Sequence, residues 1–131
     1  MAFKTVESPY SVDHTVGRLI DSLFRRGITV FARIDHASNA HLAGLELADE
    51  QVLLFGDPRA GTVLMQADPR VGLELPLRMV VWRQGEATQI GYEEPEGLAA
   101  AYELAGLEET LSRMGALLAQ LAAEATMVRA A

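Results

Sequence analysis

The stretch that decides the fold is LRMVVWRQGEATQIGYE, residues 77–93. Residues 77–83 are typical of a strand, with Leu77, Met79 and Val81 on one face. Residues 87–93 are typical of its partner strand, with Ile90 and Tyr92 as the apolar positions. Between them, Gln84-Gly85-Glu86 is the kind of short, glycine-containing segment that reverses the chain. Because successive side chains of a strand point to opposite faces, this pattern predicts an antiparallel β-hairpin with one buried face.

Two amphipathic helices lie on either side of the hairpin in the sequence. The first is predicted over residues 12–24, with Ser11 as its N-cap and Gly27 just past its end. The second is predicted from Leu107 to about Met127. Both carry an apolar stripe at helical spacing, so each should cover a sheet with one face. The first stripe comprises Val12, Val16, Leu19, Ile20, Leu23 and Phe24, and the second comprises Leu107, Leu111, Met114, Leu118, Leu121 and Ala125.

The remaining segments predict three more strands and several short helices. The strands are expected at residues 2–8, 28–35 and 51–55, where β-formers or alternating side chains are frequent. In the middle one of these strands, the residues predicted to share a face are Ile28, Val30, Ala32 and Ile34. The short helices are predicted at 38–42, capped by Ser38, at 63–67, capped by Thr62 with a strand as the alternative, and at 98–104.

The order of these elements predicts a single α+β domain over residues 1–131, with the arrangement β-α-β(4)-α. The sheet should be mainly antiparallel, with both main helices packed on one face. The core is expected to span about residues 2–125, followed by a frayed C-terminal tail. A chain of 131 residues suits one domain and buries enough surface to fold without disulfides or a metal.

Composition excludes several classes of function. The chain has no cysteine, which excludes thiol catalysis, thiolate metal sites and disulfides. With 18 acidic and 11 basic residues, a net charge of −7 and Lys4 as its only lysine, it is predicted to have no nucleic-acid partner. No apolar run approaches the roughly 20 residues of a membrane span, and no signal peptide is visible. We therefore expect a cytoplasmic protein without a membrane partner.

Five motifs stand out in the middle of the chain: ARIDH (residues 32–36), GLEL (44–47), LFGDP (54–58), GTVLMQ (61–66) and LPL (75–77). In their order and spacing they resemble the bacterial and archaeal family named domain of unknown function 302. The resemblance covers about residues 2–125. One departure is Asp57, which stands where the family often has Asn in a Phe-Gly-Asn-Pro turn. Both residues suit the turn, so the departure bears on a side-chain amide contact and not on the fold.

The resemblance implies a β-α-β(4)-α arrangement similar to TATA-binding-protein-like and helix-grip folds, which is the order that the residues themselves predict. It implies no established activity, because that architecture hosts DNA binding, lipid binding and hydrolysis alike. The shared motifs fall mainly in loops, and loops on a rigid scaffold often carry function. A site is therefore expected among these loops.

The first candidate site is Asp35-His36, at the end of a predicted strand. An imidazole can act as a general base or a ligand contact and can be tuned by a neighbouring carboxylate. Adjacent residues of a strand point to opposite faces, so His36 could equally cap the following turn. His41 is five residues further on, whereas a helical metal pair needs a spacing of four. No metal site is predicted.

The second candidate site is the segment 56–66. Its glycines and proline suit a turn, and a helix starting at Thr62 would offer free backbone N–H groups to an anion. Met65 could line a pocket with Leu64, Leu73 and Leu75, or all four could be ordinary core. The candidate ligand-binding residues are Asp35, His36, Gly56, Asp57, Gly61, Thr62, Met65 and Gln66.

Three hypotheses about function follow. The first is a domain that binds a small ligand in a pocket between the sheet and the C-terminal helix, near His36 and segment 56–66. The second is a structural or interaction protein, a homodimer that uses the hairpin or the long helix. The third is an enzyme that uses His36. No cofactor is predicted. On the hairpin, Trp82 and Tyr92 either pair across the strands or line a groove or an oligomer contact.

Overall fold

The protein contains one five-stranded antiparallel sheet. The computed structural model describes residues 2–128. Its strands are β1 Phe3–Ser8, β2 Thr29–Asp35, β3 Glu50–Gly56, β4 Leu77–Gln84 and β5 Ala87–Glu93, and its helices are α1 Val12–Arg25, α2 His36–Leu42, α3 Pro58–Ala67 and α4 Glu108–Thr126. Two 3-10 helices span Pro69–Glu74 and Pro95–Ala100. The strand order is β1-β5-β4-β3-β2, and every neighbouring pair is antiparallel. The predicted α+β fold is confirmed.

The main core lies between the sheet and helices α1 and α4, which pack together on one face. Ser11 caps α1 as predicted, since its hydroxyl accepts a hydrogen bond from the His14 N–H at 3.1 Å. Leu19 and Leu23 are fully buried, but Phe24 is 83% exposed, so its place in the predicted stripe is wrong. At about 100° per residue, Leu23 lies roughly 20° from Val12 around the helix, whereas Phe24 lies roughly 120° away.

Strand β2 contains an irregularity that divides its predicted face. Val30 pairs with Phe55 and packs in the core, whereas Ala32 pairs with Leu54 on the opposite face of the sheet. The register shifts between Val30 and Ala32, leaving Phe31 as the extra residue. One inserted residue turns every later side chain to the other face. The prediction that Ala32 and Ile34 share a face with Val30 is therefore wrong.

Two aspartates, and not the predicted hydroxyl residues, cap the short helices. The Asp35 carboxylate accepts a hydrogen bond from the Ser38 N–H at 2.9 Å, so α2 starts at His36 and not after Ser38. The Asp57 carboxylate accepts from the Arg59 N–H at 3.0 Å, so α3 starts well before Thr62. In both cases the earlier aspartate captures the free N–H groups of the first helical turn.

The hairpin β4–β5 forms as predicted, but its aromatic residues do not meet. Trp82 pairs with Gln89 and packs against Phe3, with ring centroids 6.5 Å apart, on the face away from the helices. Tyr92 is buried on the helical face. A cross-strand Trp82–Tyr92 contact is therefore excluded by the register. The helix predicted at 98–104 is replaced by the 3-10 helix Pro95–Ala100.

A second apolar cluster lies beside the main core, under α3 and the N-terminal half of α4. It contains Leu64, Val71 and Leu111, all almost completely buried. Its existence places α3 and the following 3-10 helix against α4. Helix α4 ends at Thr126, and the part of the predicted frayed tail at residues 129–131 lies outside the described residues.

Candidate functional site

A pocket of about 450 Å³ opens between α3, the end of β3 and α4; we call it the α3 pocket. Helix α4 contributes Met114 and Leu117 to its wall, and the segment before β4 contributes Leu75 and Pro76. The complete lining is Phe31, Leu54, Gly56, Asp57, Pro58, Ala60, Gly61, Thr62, Met65, Gly72, Leu75, Pro76, Leu77, Met114 and Leu117.

The pocket is almost entirely apolar. Among its lining residues, only Asp57 and Thr62 carry polar side chains. The Asp57 carboxylate already accepts the Arg59 N–H and lies 3.5 Å from the Arg59 guanidinium. A concave apolar surface of this kind removes apolar ligand surface from water and uses few polar groups for orientation.

Two glycines in the wall of the pocket leave room for the Met65 side chain. A Cβ atom at Gly61 would lie 3.6 Å from the Leu75 Cδ1 atom and 3.9 Å from the Met65 Cε atom. At Gly72 a Cβ atom would approach the Met65 sulfur to 3.2 Å, which is tight. Met65 itself is 38% exposed, so its flexible side chain lies at the pocket surface.

The anion site predicted at Thr62 required a helix that starts at this residue. Helix α3 begins at Pro58, so Thr62 lies in the middle of the helix, where backbone N–H groups bond within the helix. The true N-terminus is occupied by the Asp57 carboxylate, a negative group that repels an anion. The prediction rested on the wrong helix start.

The structure separates the eight predicted site residues into two groups. Asp35 pairs with Gln51 at the start of β3, whereas Gly56 is the last residue of that strand. The two positions are about 17 Å apart at about 3.3 Å per residue. Five of the predicted residues line the α3 pocket, namely Gly56, Asp57, Gly61, Thr62 and Met65, whereas Asp35, His36 and Gln66 do not.

The Asp35-His36 pair has a structural role at the start of α2. Asp35 is the N-cap of this helix, and His36 is its exposed first residue. Gln66 is exposed on α3 outside the pocket lining. His36 and the segment 56–66 therefore do not line one common pocket.

Sequence reasoning missed a buried polar junction beneath the α3 pocket. The Asp68 carboxylate accepts hydrogen bonds from the Arg70 side chain at 2.7 and 3.0 Å, from the Arg70 N–H at 3.1 Å and from the Glu103 N–H at 3.0 Å. Arg70 and the backbone N–H groups hold the pKa of Asp68 well below its usual range. The junction ties the 3-10 helix Pro69–Glu74 to the segment before α4. The signal in the sequence was Asp68-Pro69, the same cap pattern as Asp57-Pro58.

The chain as a whole matches a family model described as "Domain of unknown function DUF302" over residues 4–125. The chain belongs to the DUF302 family. A solved structure described as an uncharacterized conserved DUF302 protein from Bacillus stearothermophilus superimposes with a TM-score of 0.85 at 23% identity, covering 95% of this chain and 98% of that one. This likeness supports the DUF302 fold and extends to nearly every described residue.

Curated relatives of this DUF302 chain carry the name of an ion channel. Over 101 residues, it is 39% identical to the Fluoride-specific ion channel FluC 1 of Brucella suis biovar 1 and to its namesake in Brucella abortus biovar 1. The alignment covers 76% of this chain but only 40% and 37% of those proteins. The chain thus spans about two fifths of the length of the relatives that it matches. Within residues 2–128, no helix is long and apolar enough to cross a membrane.

Proposed function

We propose that this DUF302 domain binds a small, predominantly apolar molecule in the α3 pocket. The observation that carries the proposal is the combination of a volume of about 450 Å³ with a lining in which only two of fifteen residues have a polar side chain. Pockets for small molecules have this character, and most of the affinity comes from apolar surface removed from water. The channel activity named for the Brucella relatives forms no part of the proposal, because the alignment leaves most of those proteins uncovered.

The wall of the pocket supports a ligand with an extended aliphatic or flat apolar body. Met65 and Met114 face the pocket from α3 and α4, and unbranched thioether side chains adapt to irregular ligands. The Asp57 carboxylate at the N-terminus of α3 and the Thr62 hydroxyl in the middle of that helix both line the pocket, where they can orient a hydroxyl group of the ligand. His36 has no part in this proposal because it lies at the far end of β3.

The methionines make a direct test possible. A chain labelled with ¹³C at the methionine methyl groups reports on Met65 and Met114 in the pocket, on Met79 in the core and on exposed Met127. Titration with 1-hexanol, 1-octanol and 1-decanol should shift the Met65 and Met114 signals saturably and leave Met79 and Met127 in place. Affinity should increase along the series by about 0.8 kcal/mol per methylene until the pocket is full.

A pair of glycine variants supplies the matched control. Gly61→Leu fills the pocket from α3, whereas Gly17→Leu places the same side chain in α1, where a Cβ atom meets nothing within 4 Å. We expect the first variant to lose at least about tenfold in alcohol affinity and the second to keep it. Equal shifts at all four methionines, or equal binding by both variants, would contradict the proposal.

A second candidate function, a homodimer, is favoured by an exposed run of leucines. We call residues 42–47 the leucine arm: Leu42 is 82% exposed, Leu45 is 65% exposed and Leu47 is 46% exposed. The arm contains the motif GLEL, so this motif has no part in packing the core of its own chain. Exposed apolar segments of this kind are typical of contact surfaces. Among the described residues of α4, the apolar stripe faces α1 and the sheet, which makes that helix a poorer dimer surface.

Sedimentation velocity of the purified protein tests the second candidate. A dimer held by the arm should dissociate in the double variant Leu42→Glu/Leu45→Glu. The matched control is the double variant Phe24→Glu/Leu73→Glu, which introduces the same two charges at residues that are 83% and 81% exposed. A monomer at every concentration, or a dimer that resists the arm variant, would count against the homodimer.

A further inference from the structure

A second opening lies in the sheet itself, where β4 and β5 separate. The two strands pair from Val80 with Gly91 to the turn, but no farther toward the other end. There, Leu77–Met79 pairs only with β3, and Tyr92 and Glu93 pair only with β1. The backbone groups that face each other across this gap have no ladder partner in the other strand. We call the resulting opening, about 200 Å³, the β4–β5 slot.

The walls of the slot combine apolar surface with carboxylates. Val80 lines it from the open face of the sheet, and Leu98 and Leu118 line it from the helical side. The charged lining residues are three glutamates, Glu74, Glu93 and Glu94, and one arginine, Arg78. Arg78 lies 3.8 Å from Glu74, and Lys4 lies 3.6 Å from Glu94 with more than half of its own side chain exposed. Arg78 and Lys4 together offset two of the three carboxylates, which leaves a net charge of −1 at the slot.

Tyr92 is a mostly buried polar residue of the slot. The residue as a whole is only 7% exposed, but every buried side-chain nitrogen and oxygen atom among residues 2–128 has a hydrogen-bond partner. The Tyr92 hydroxyl, which forms no hydrogen bond within these residues, is therefore reached by water from the slot. Burial raises the pKa of Tyr92, and the negative charges of Glu94 and Glu96 raise it further. The hydroxyl therefore stays neutral and lies within the field of two carboxylates. A ligand that displaces this water without replacing its hydrogen bond leaves the hydroxyl unpaired at a cost, whereas a ligand N–H group replaces the bond.

From these features we infer that the β4–β5 slot binds a small organic ammonium ion. The ammonium group donates to the Tyr92 hydroxyl and is attracted by Glu94 and Glu93, while its short alkyl chain contacts Val80 and Leu98. An anion meets excess negative charge here, and a neutral apolar molecule leaves the Tyr92 hydroxyl unpaired. The slot thus differs in chemistry from the α3 pocket, where a molecule without charge fits best.

The test is a ¹H–¹⁵N NMR titration of the intact chain with n-butylammonium chloride at constant ionic strength. Saturable shifts are expected at the backbone amides of Arg78, Tyr92 and Glu94. A parallel ¹H–¹³C titration of the methyl-labelled chain should show no response of the Met65 and Met114 methyl groups. Butanoate and 1-butanol, which share the alkyl chain but lack the positive charge, should produce no saturable shift at these amides. Because the two sites have separate reporters, one proposal can fail without the other.

Two substitutions with matched controls connect the signal to the proposed contacts. Tyr92→Phe keeps the ring and removes the hydroxyl, and it should weaken n-butylammonium binding about tenfold. Its control is Tyr10→Phe, whose hydroxyl donates to the Met127 carbonyl away from the slot. Glu94→Gln should weaken binding about threefold. Its control, Glu109→Gln, removes an equal charge from the surface of α4.

Three results would overturn the inference. The first is the absence of saturable shifts at the slot amides with n-butylammonium. The second is equal loss of affinity in Glu94→Gln and Glu109→Gln, which would indicate general charge attraction only. The third is saturation of the same amides by calcium chloride or by butanoate but not by the ammonium ion. Well-dispersed spectra of each variant establish that it is folded before its affinity is compared.

Discussion

The tripeptide Asp-Pro-Arg occurs twice, at residues 57–59 and at residues 68–70, with the same local capping hydrogen bond and different surroundings. In both copies the aspartate is an N-cap whose Oδ1 atom accepts the arginine N–H, at 3.0 Å in the first copy and 3.1 Å in the second. In both, proline follows at the start of the helical turn. The shared geometry is what this order of residues favours locally.

The surroundings differ because only the second copy is covered by another part of the chain. The Asp57 side chain is 51% exposed and lies 3.5 Å from an arginine that is 94% exposed. The Asp68 side chain is 6% exposed, contacts Arg70 at 2.7 Å and also accepts the Glu103 N–H from 35 residues away. The same three residues thus form a surface cap in one place and a junction between segments in the other.

Asp68→Ala should have the largest effect on stability. It removes the acceptor of the Arg70 side chain and of the Glu103 N–H, and it leaves the part-buried N–H without this partner. We expect the melting temperature, measured by circular dichroism, to fall by roughly 5–10 °C. If Asp57→Ala lowered it by as much, the burial of Asp68 would not be the cause of the difference between the two copies.

Acid should reduce the contribution of the Asp68 carboxylate to the stability of the fold. Arg70 and the backbone N–H groups hold the pKa of Asp68 below its ordinary value of 3.8. The charged carboxylate therefore stabilises the fold fully above about pH 5, and this contribution is lost as the pH falls below about 4. The gap in melting temperature between the wild type and Asp68→Asn should be wide at pH 6 and narrower at pH 2.5. A gap that is unchanged or wider in acid would contradict the assignment.

Asp57→Ala should have a moderate effect. It removes the side-chain cap of α3 but leaves no buried group without a partner, because the first turn of that helix is exposed. Loss of an N-cap costs about 1 kcal/mol of unfolding free energy, measurable by urea denaturation. Asp57→Ser keeps a capping oxygen and should retain most of the stability. Equal losses in the alanine and serine variants would argue against a capping role.

Arg59→Ala should have the smallest effect, below about 0.5 kcal/mol, because an exposed ion pair contributes little. The matched change in the other copy, Arg70→Ala, removes two hydrogen bonds to Asp68 and a guanidinium 5.9 Å from the centre of the Tyr102 ring. The second variant should therefore unfold at a clearly lower urea concentration than the first. Coincident unfolding curves would show that the two arginines do not differ as the geometry implies.

Most of the fold could be predicted because it follows from periodic patterns. The hairpin and the stripes of α1 and α4 repeat at intervals that neighbouring residues impose, and the structure confirms them apart from Phe24. The wrong predictions concern details that neighbouring residues leave undetermined. Asp57 and Thr62 are both good caps, and only the bonds formed show that α3 begins at the earlier one. The extra residue Phe31 in β2 leaves no clear mark in composition, yet it reverses the face of every later residue in that strand.

The candidate site was predictable to the extent that its residues are close in sequence. Gly56, Asp57, Gly61, Thr62 and Met65 reach the α3 pocket together because α3 follows β3 directly. Asp35 and His36 do not, because antiparallel pairing places the end of β2 beside the start of β3. The α4 side of the pocket, Met114 and Leu117, comes from about fifty residues further along the chain. No local pattern connects such positions.

From its amino-acid order, this chain determines where helices and strands form, that one sheet face is covered by two helices, and that two Asp-Pro-Arg turns are capped alike. These properties depend on residues a few positions apart, whose interactions are the same in any fold. The tertiary structure decided which of the two aspartates is buried, where the α3 pocket opens and where β4 separates from β5. These properties depend on contacts between distant segments, and burial alone gives the same side chain a different energy in each place.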